Sequence, residues 1–350
     1  MKRFSLGKLS LLLMVVLVGS LAAYGRNPYE ARKKLDELSI PFTVEAFVNL
    51  AAIGDSTAIA LFLDAGMDID SADAKYGMTA LMHATIAGRS DIVKSLLDKG
   101  ADINAKDKDG RTALILASGC GFSSSMPEEI EKRLYVIEKR RALDTHPTTV
   151  KTKRNVPSDD NPFEEGAAEK DGIITVVTRL DSHPDIVKTL LERGADANIQ
   201  DNDGKTAIMS AAWHGHTEIV KRLLDMGANP NVKDRHSRAS WNLSIISSGH
   251  VLHPGNGWTA LMYAMLSSCP EVVRALLDAG ADPNAKDQHG VSVLMIAAFH
   301  QGRTEVVQAL LDAGADTNVK DEHGDTALDY ATDSKHKDVV ELLKKHSSKQ

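Results

Sequence analysis

The sequence predicts an all-α repeat solenoid built from helix pairs that are separated by polar turns. Segments reading Gly-x-Thr-Ala-Leu or Gly-x-Thr-Ala-Ile occur at 77–81, 204–208 and 257–261. Each is followed, 23 residues after its first glycine, by Gly-Ala-Asp-x-Asn or Gly-Ala-Asn-x-Asn. The unit starts at Gly257 and Gly290 lie 33 residues apart, and those at Gly290 and Gly324 lie 34 apart. A period of this length indicates stacked repeats, since one unit cannot bury its apolar face alone.

The N-terminus precedes the repeats and has a different composition. Residues 9–24 are largely apolar and follow three basic residues, Lys2, Arg3 and Lys8. Small residues allow cleavage after Ala22 or Gly25, so residues 1–25 are predicted as a signal peptide of an exported, periplasmic or secreted protein. The apolar run is shorter than the roughly 20 residues that usually span a bilayer. An uncleaved inner-membrane anchor over 9–24 stays the alternative.

The first complete unit shows why each repeat should form two helices. Thr79 suits a helix N-cap, because its side chain can accept a backbone amide of the first turn. Ile92, Leu96 and Leu97 form the apolar stripe of the second helix. Gly100 then ends that helix in a left-handed conformation, which glycine adopts without strain. The polar segment that follows leads into the next unit.

Units of this kind are predicted over residues 42–346, as about seven repeats. Residues 26–41 are predicted as a linker, and residues 347–350 as a tail. The first and last units depart from the pattern, as the capping units of a solenoid do.

The unit that starts at Gly110 is interrupted by an insertion at residues 122–182. Its second helix is expected only at Asp185, and within the insertion a charged helix over 127–143 precedes a mobile segment. A second interpretation stays open, in which 110–145 and 171–203 are two degenerate repeats.

A second insertion, residues 237–256, lies between one polar turn and the next helix pair. Trp241, Leu243 and Ile245 alternate with polar residues and precede Ser-Ser-Gly. This alternation around a turn predicts an extended β-hairpin finger.

Together, Thr-Ala-Leu and Gly-Ala-Asp-x-Asn resemble the ankyrin-repeat family, here of an exported bacterial type. The resemblance implies a unit of one β-turn finger and two helices. The family's Thr-Pro-Leu-His reads Thr-Ala-Leu-Met at 79–82 and 259–262. Because this histidine is missing, the family's usual hydrogen bonds between fingers are in question. The expected fold is unaffected.

The resemblance also implies a protein partner, held by the finger tips and the concave first helices. The family's variable positions correspond here to Tyr76, Met78, Lys108, Arg111, Asn202, Lys205, Trp213, His214, Trp258, His289, Phe299, His300 and His323. Trp241, in the inserted finger, is added to this set. Because tryptophan often dominates binding energy, we expect an aromatic patch of Trp213, Trp241, Trp258 and Phe299.

Other functional classes receive little support from the sequence. The net charge of −7 argues against nucleic-acid binding as a global property. No nucleophile elbow, P-loop or dinucleotide fingerprint is present, so no enzyme activity and no cofactor are predicted. His214 and His216 lack further ligands at zinc-like spacing, and no metal is predicted.

The remaining expectations concern assembly and contacts. The protein is expected to be a monomer with two free thiols, Cys120 and Cys269, which lie too many repeats apart for a disulfide. An alternative function is a membrane-tethered module. In that case lipid or a membrane protein would be contacted by the N-terminal segment or by residues 127–154.

Overall fold

A computed structural model describes residues 27–119, 183–235, 245–247, 250–252, 257–267, 269–300 and 303–347. The chain divides into two compact units. One comprises Met1–Cys120 with Ser182–Gln350, and the other is Gly121–Asp181, which lies outside the described residues. The described residues belong to the first unit.

Helices make up nearly all of the regular structure in these ranges. They are α1 Pro28–Glu37, α2 Val44–Ile53, α3 Ser56–Asp64, α4 Ala80–Ile86, α5 Ser90–Asp98, α6 Ala113–Ser118, α7 Pro184–Glu192, α8 Ala207–Trp213, α9 Thr217–Asp225, α10 Ala260–Ala264, α11 Pro270–Asp278, α12 Val293–Phe299, α13 Thr304–Asp312, α14 Ala327–Asp333 and α15 Lys337–Ser347. The strands β1 Ile245–Ser247 and β2 His250–Leu252 pair antiparallel within the second insertion.

The helices form two layers of a repeat array. We name the pairs from α2/α3 to α14/α15 repeats 1 to 7, and the two helices of each pair its first and second helix. First helices pack on the first helices of neighbouring repeats, and from α5 onward the second helices do the same. The predicted all-α repeat solenoid is therefore confirmed. The core lies between the layers, where Leu81, Leu114 and Leu294 are almost completely buried.

Helix α1 requires a correction to the linker predicted over 26–41. Its residues Ala31 and Leu35 are buried, and the helix packs against α3. Arg32 donates from Nε to the carbonyl of Ala65 at 3.3 Å, and its guanidinium lies 4.4 Å from the centre of the Phe42 ring. This segment therefore closes the N-terminal end of the array.

Repeat 3 is formed by helices that are distant in sequence. Helix α6 packs against α7 although residues 119–183 separate them. In the finger that follows α7, the amide of Asn202 donates to the carbonyl of Asp109 in the finger that precedes α6. Residues 119–183 therefore lie, in the sequence, between the two helices of one repeat. The predicted charged helix over 127–143 lies outside the described residues.

Neighbouring fingers, the turns that precede the first helices, are joined through their backbones. Finger 3 (106–111) donates from Lys108 N to Tyr76 O of finger 2 (72–78) at 2.9 Å. Finger 5, which begins at 233, donates from Arg235 N to Asp203 O of finger 4 (200–205) at 2.7 Å. The hydrogen bonds between fingers therefore persist without the family's histidine, because main-chain groups make them.

Two further findings bear on the sequence-based expectations. Cys269 is a free thiol, and Cys120 lies outside the described residues. None of the helices in the described ranges combines the length and the apolar character needed to cross a bilayer.

Candidate partner-binding face

A carboxylate at the base of each finger fixes the finger's shape. The residues are Asp73, Asp107, Asp201, Asp234, Asp287 and Asp321. In all but the first, one carboxylate oxygen accepts two backbone amides of the same finger, at 2.7–3.0 Å. Asp73 accepts its two amides with different oxygens. The sequence analysis did not single out these residues, although an aspartate at the same place in every unit was a signal for them.

The second carboxylate oxygen often reaches the first helix of the same repeat. Asp73 contacts His83 Nε2 at 3.0 Å, and Asp234 accepts from the hydroxyl of Tyr263 at 2.5 Å. In repeat 7 the hydroxyl of Tyr330 donates to the finger carboxylate at 2.8 Å. These three bonds hold fingers 2, 5 and 7 against the first helices of their repeats.

The surroundings shift the pKa of these carboxylates in opposite directions. Burial alone would raise the pKa of Asp73, but hydrogen bonds from His83 and two backbone amides lower it to about 2. Burial raises the pKa of Asp201 to about 6, and the charge of nearby Asp203 adds to the rise. Finger 2 thus stabilises the negative charge of Asp73, whereas finger 4 disfavours the negative charge of Asp201.

Fingers 2, 4 and 5 also turn the residue that follows their glycine inward. Met78, Lys205 and Trp258 occupy this position and are exposed by 2%, 4% and 0%. Their prediction as partner contacts is therefore wrong, because they fill the space between fingers and first helices. Phe299 is also buried, with its ring 6.2 Å from that of Tyr330. Its prediction as a partner contact fails for the same reason.

The other predicted residues keep part of their surface accessible. Lys108, Asn202 and His323 are exposed at finger tips; partly exposed are Tyr76, Arg111, Trp213, His214, His289 and His300. Trp241 lies outside the described residues. The described side chains of this set form a row along the fingers and the ends of the first helices, which we call the finger row.

The expected aromatic patch is replaced by a stack that descends into the core. The ring of Trp213, at the end of α8, lies parallel to that of Tyr263 at 5.6 Å. Tyr263 meets Trp258 edge-on at 5.3 Å. The sequence analysis missed Tyr263, which occupies the same helix position as His83 and Tyr330. Tyr263 is itself fixed by its hydrogen bond to Asp234. It therefore supports the buried face of the Trp213 ring.

Two histidine rings continue the stack away from the core. His214 lies 5.9 Å from Trp213 and 5.6 Å from His216, both nearly parallel. A ring nitrogen of His214, Nδ1, contacts the carbonyl of Ser210 at 2.9 Å, which fixes the ring's orientation. Trp213 and His214 together present a partly exposed, rigid edge, which we call the aromatic edge of repeat 4.

No group of three or more His, Cys, Asp or Glu in the described part of the chain is placed to hold a metal ion. The face offers aromatic edges, imidazoles and finger-tip amides and ammonium groups, which suit contact with another macromolecule.

Comparison with known families agrees with the architecture. A family model described as ankyrin repeats (3 copies) matches residues 45–126, 164–234 and 183–287. A second, described as ankyrin repeats (many copies), matches residues 276–331. The matches of the first model alone cover more than half of the 350 residues. No curated protein matches the chain.

Proposed function

Because this chain belongs to the ankyrin-repeat family, we propose that it is an exported scaffold that binds a protein partner along its fingers and first helices. Ankyrin repeats typically mediate protein–protein interactions, and the family is typically non-catalytic. We propose in addition which face of the array binds the partner and that the protein is exported.

The aromatic edge of repeat 4 is the observation that carries this proposal. Residues that dominate binding energy are commonly aromatic and held rigidly before binding, so that little side-chain entropy is lost. Trp213 meets both conditions, since it is partly exposed and stacks on the buried Tyr263.

The neighbouring finger tips supply the polar surround that such an anchor requires. Lys108 and Asn202 are exposed on the fingers of repeats 3 and 4, whereas His323 is exposed farther along the row, on finger 7. His289 Nδ1 contacts Glu322 Oε1 at 3.0 Å, which links the tips of fingers 6 and 7. Polar rims of this kind exclude water from a central contact while contributing little energy themselves.

The export part of the proposal rests on the N-terminal sequence. A basic start followed by the apolar run 9–24 and small residues is typical of a cleaved signal. Sequencing the N-terminus of the mature protein from its native compartment tests this part. A start at Ala23 or Arg26 would support it, whereas retention of residues 9–24 would contradict it.

Partner capture tests the binding part. We expect Trp213→Ala to weaken the capture of specific partners by roughly 30-fold, because loss of a binding hot spot costs about 2 kcal/mol or more. The measurement is quantitative crosslinking of the full chain in its native compartment, followed by identification of the attached proteins.

Met226→Ala serves as a matched control in the same repeat. Met226 caps the second helix α9 and is 51% exposed, so it is also an accessible apolar side chain. This variant should keep the wild-type partners. Partners kept by Trp213→Ala and lost by Met226→Ala would place the contact on the second-helix side and contradict the proposal.

A further inference from the structure

The first residue of each finger occupies an equivalent position, directly before the carboxylate that fixes the finger. In fingers 3, 5, 6 and 7 this residue is a lysine, and in finger 4 it is a glutamine. We call this set the lysine ladder; its members are Lys106, Gln200, Lys233, Lys286 and Lys320. All four lysines are exposed, whereas the glutamine is partly exposed.

Side chains of the lysine ladder reach from one finger to the next. Lys106 donates from Nζ to the carbonyl of Gln200 at 2.9 Å. Gln200 donates from Nε2 to the carbonyl of Lys233 at 3.2 Å, and Lys233 donates from Nζ to the carbonyl of Lys286 at 2.6 Å. Because each bond joins equivalent positions of adjacent fingers, the ladder runs as one continuous line over fingers 3 to 6. Lys320 occupies the same position on finger 7.

The charge of these ammonium groups is not neutralised by ion pairs. Within the described ranges, none of the four lysines pairs with a carboxylate. The aspartate that follows each lysine is turned inward, accepts two backbone amides of its finger and is only 4–9% exposed; these residues are Asp107, Asp234, Asp287 and Asp321. The start of each of these fingers therefore exposes a cation and buries the neighbouring anion.

Exposed carboxylates also occur four residues before the ladder, in the turns that follow the second helices. They belong to Asp102, Asp196, Asp282 and Asp316. Each accepts the backbone amide two residues later, at 2.8–2.9 Å. None of them forms an ion pair with a lysine of the ladder, so the ammonium groups are available to a ligand.

We propose that the lysine ladder binds an acidic segment of the protein partner, which lies along the fingers with its carboxylates over the ammonium groups. This inference rests on the proposed function, in which the fingers face the partner. A short acidic segment fits the line better than a nucleic acid or an anionic membrane does. Either of those extended polyanions would also meet the rest of a chain whose net charge is −7.

The spacing of the ladder specifies the conformation of this segment. Packed helices of neighbouring repeats lie roughly 8–10 Å apart, and lysines on adjacent fingers are separated by a similar distance. A polyproline II segment has three residues per turn and a rise of about 3.1 Å, so every third side chain lies on one side, about 9 Å apart. The expected segment is therefore extended and carries Asp or Glu at every third position.

Fluorescence anisotropy of a labelled peptide of four Glu-Pro-Pro units, titrated with the full chain at low ionic strength, tests the proposal. Fingers 5 to 7 carry three consecutive lysines of the ladder. The triple variant Lys233→Gln, Lys286→Gln, Lys320→Gln should bind this peptide roughly tenfold more weakly, because three exposed ion pairs are lost. Glutamine suits the position, since Gln200 makes the equivalent bond to the next finger.

A second triple variant gives the matched control. Lys94→Gln, Lys188→Gln, Lys221→Gln makes the same change in net charge, but at exposed positions of the second helices α5, α7 and α9. It should keep the wild-type affinity. Equal weakening by both triple variants would show that only net charge matters and would overturn the proposal. Failure of the wild type to bind the peptide, or tighter binding of phosphatidylglycerol vesicles or duplex DNA, would also overturn it.

Gln200→Lys fills the neutral position and adds a test by gain of affinity. The ladder would then carry a lysine on every finger from 3 to 7, so a peptide of five Glu-Pro-Pro units should bind roughly two- to threefold more tightly than to the wild type. An unchanged affinity would contradict the alignment of the peptide along the ladder.

Crosslinking in the native compartment separates this inference from the proposed function. Partners lost both by Trp213→Ala and by the ladder triple variant would support an acidic segment on the same partner. Partners lost by Trp213→Ala but kept by the ladder variant would overturn the inference and leave the scaffold role standing. Partners kept by both variants would contradict the proposed binding face as well.

Discussion

Replacing Trp258 by alanine is expected to lower the free energy of unfolding by about 3–5 kcal/mol, as for other large buried aromatic residues. The side chain is completely buried, and its ring packs edge-on against Tyr263 at 5.3 Å. The substitution would leave a cavity between finger 5 and α10 and remove the support beneath the stack. Denaturation followed by circular dichroism, with hydrogen exchange to localise the loss, measures this cost.

Trp213→Ala is the matched comparison for this prediction. Its ring packs on one side of Tyr263 but keeps part of its surface accessible, so we expect a cost of only about 1–1.5 kcal/mol. The two tryptophans should therefore separate stability from binding. Equal destabilisation by both substitutions would contradict the assignment of Trp258 to the core and of Trp213 to the surface.

Replacing Gly204 by alanine is expected to destabilise the array by about 2–4 kcal/mol, through backbone strain and a steric clash. Gly204 has a φ of +79°, which is unfavourable for alanine, and an added Cβ would lie 2.8 Å from the backbone nitrogen of Arg235. The clash is with main chain, so it cannot be relieved by rotating a side chain. The free energy of unfolding of the variant, compared with wild type, gives the cost.

Gly227→Ala isolates the steric part of this effect. Gly227 has a similar φ of +83°, but nothing lies within 4 Å of an added Cβ. In this variant, only the strain of the left-handed conformation should lower the free energy of unfolding, by about 1–2 kcal/mol. If both substitutions cost the same, the close approach of fingers 4 and 5 would not contribute to stability.

The repeat architecture could be predicted from the sequence because its signals are local. N-cap residues such as Thr79 and Thr112, the glycines between helices and the apolar stripe of each second helix recur at a fixed period. In the structure Thr79 and Thr112 accept amides of their first helical turns. Each element is thus encoded by a few neighbouring residues, and stacking follows from their repetition.

Helix α1 escaped prediction because it carries none of the repeat's signals. Residues 26–41 lack a Thr-Ala-Leu start, yet Asn27 caps the helix with its side chain and Pro28 occupies the first turn. Ala31 and Leu35, four residues apart, supply the buried stripe. A helix this short is recognisable only when its packing partner is known, since isolated helices of this length are unstable.

The candidate site was predicted less well than the fold, for a geometric reason. Family positions identify residues near the accessible face but do not show which way each side chain points. Met78, Lys205 and Trp258 lie at the ends of their fingers, yet the finger carboxylate binds their backbone amides and the side chains are buried. The side chain of Trp213 remains partly accessible because this residue lies at the end of a first helix and not in a finger.

The most direct test of the proposed scaffold role is site-specific photocrosslinking around the array. A photoreactive residue would replace Lys108, Asn202 or His323 on the finger row, or Lys94, Lys188 or Glu271 on the second helices, all of which are exposed. We expect partner adducts from the finger row, strongest next to the aromatic edge at Asn202, and none from the second helices. Adducts from the second helices alone, or from no position, would contradict binding along the fingers and first helices.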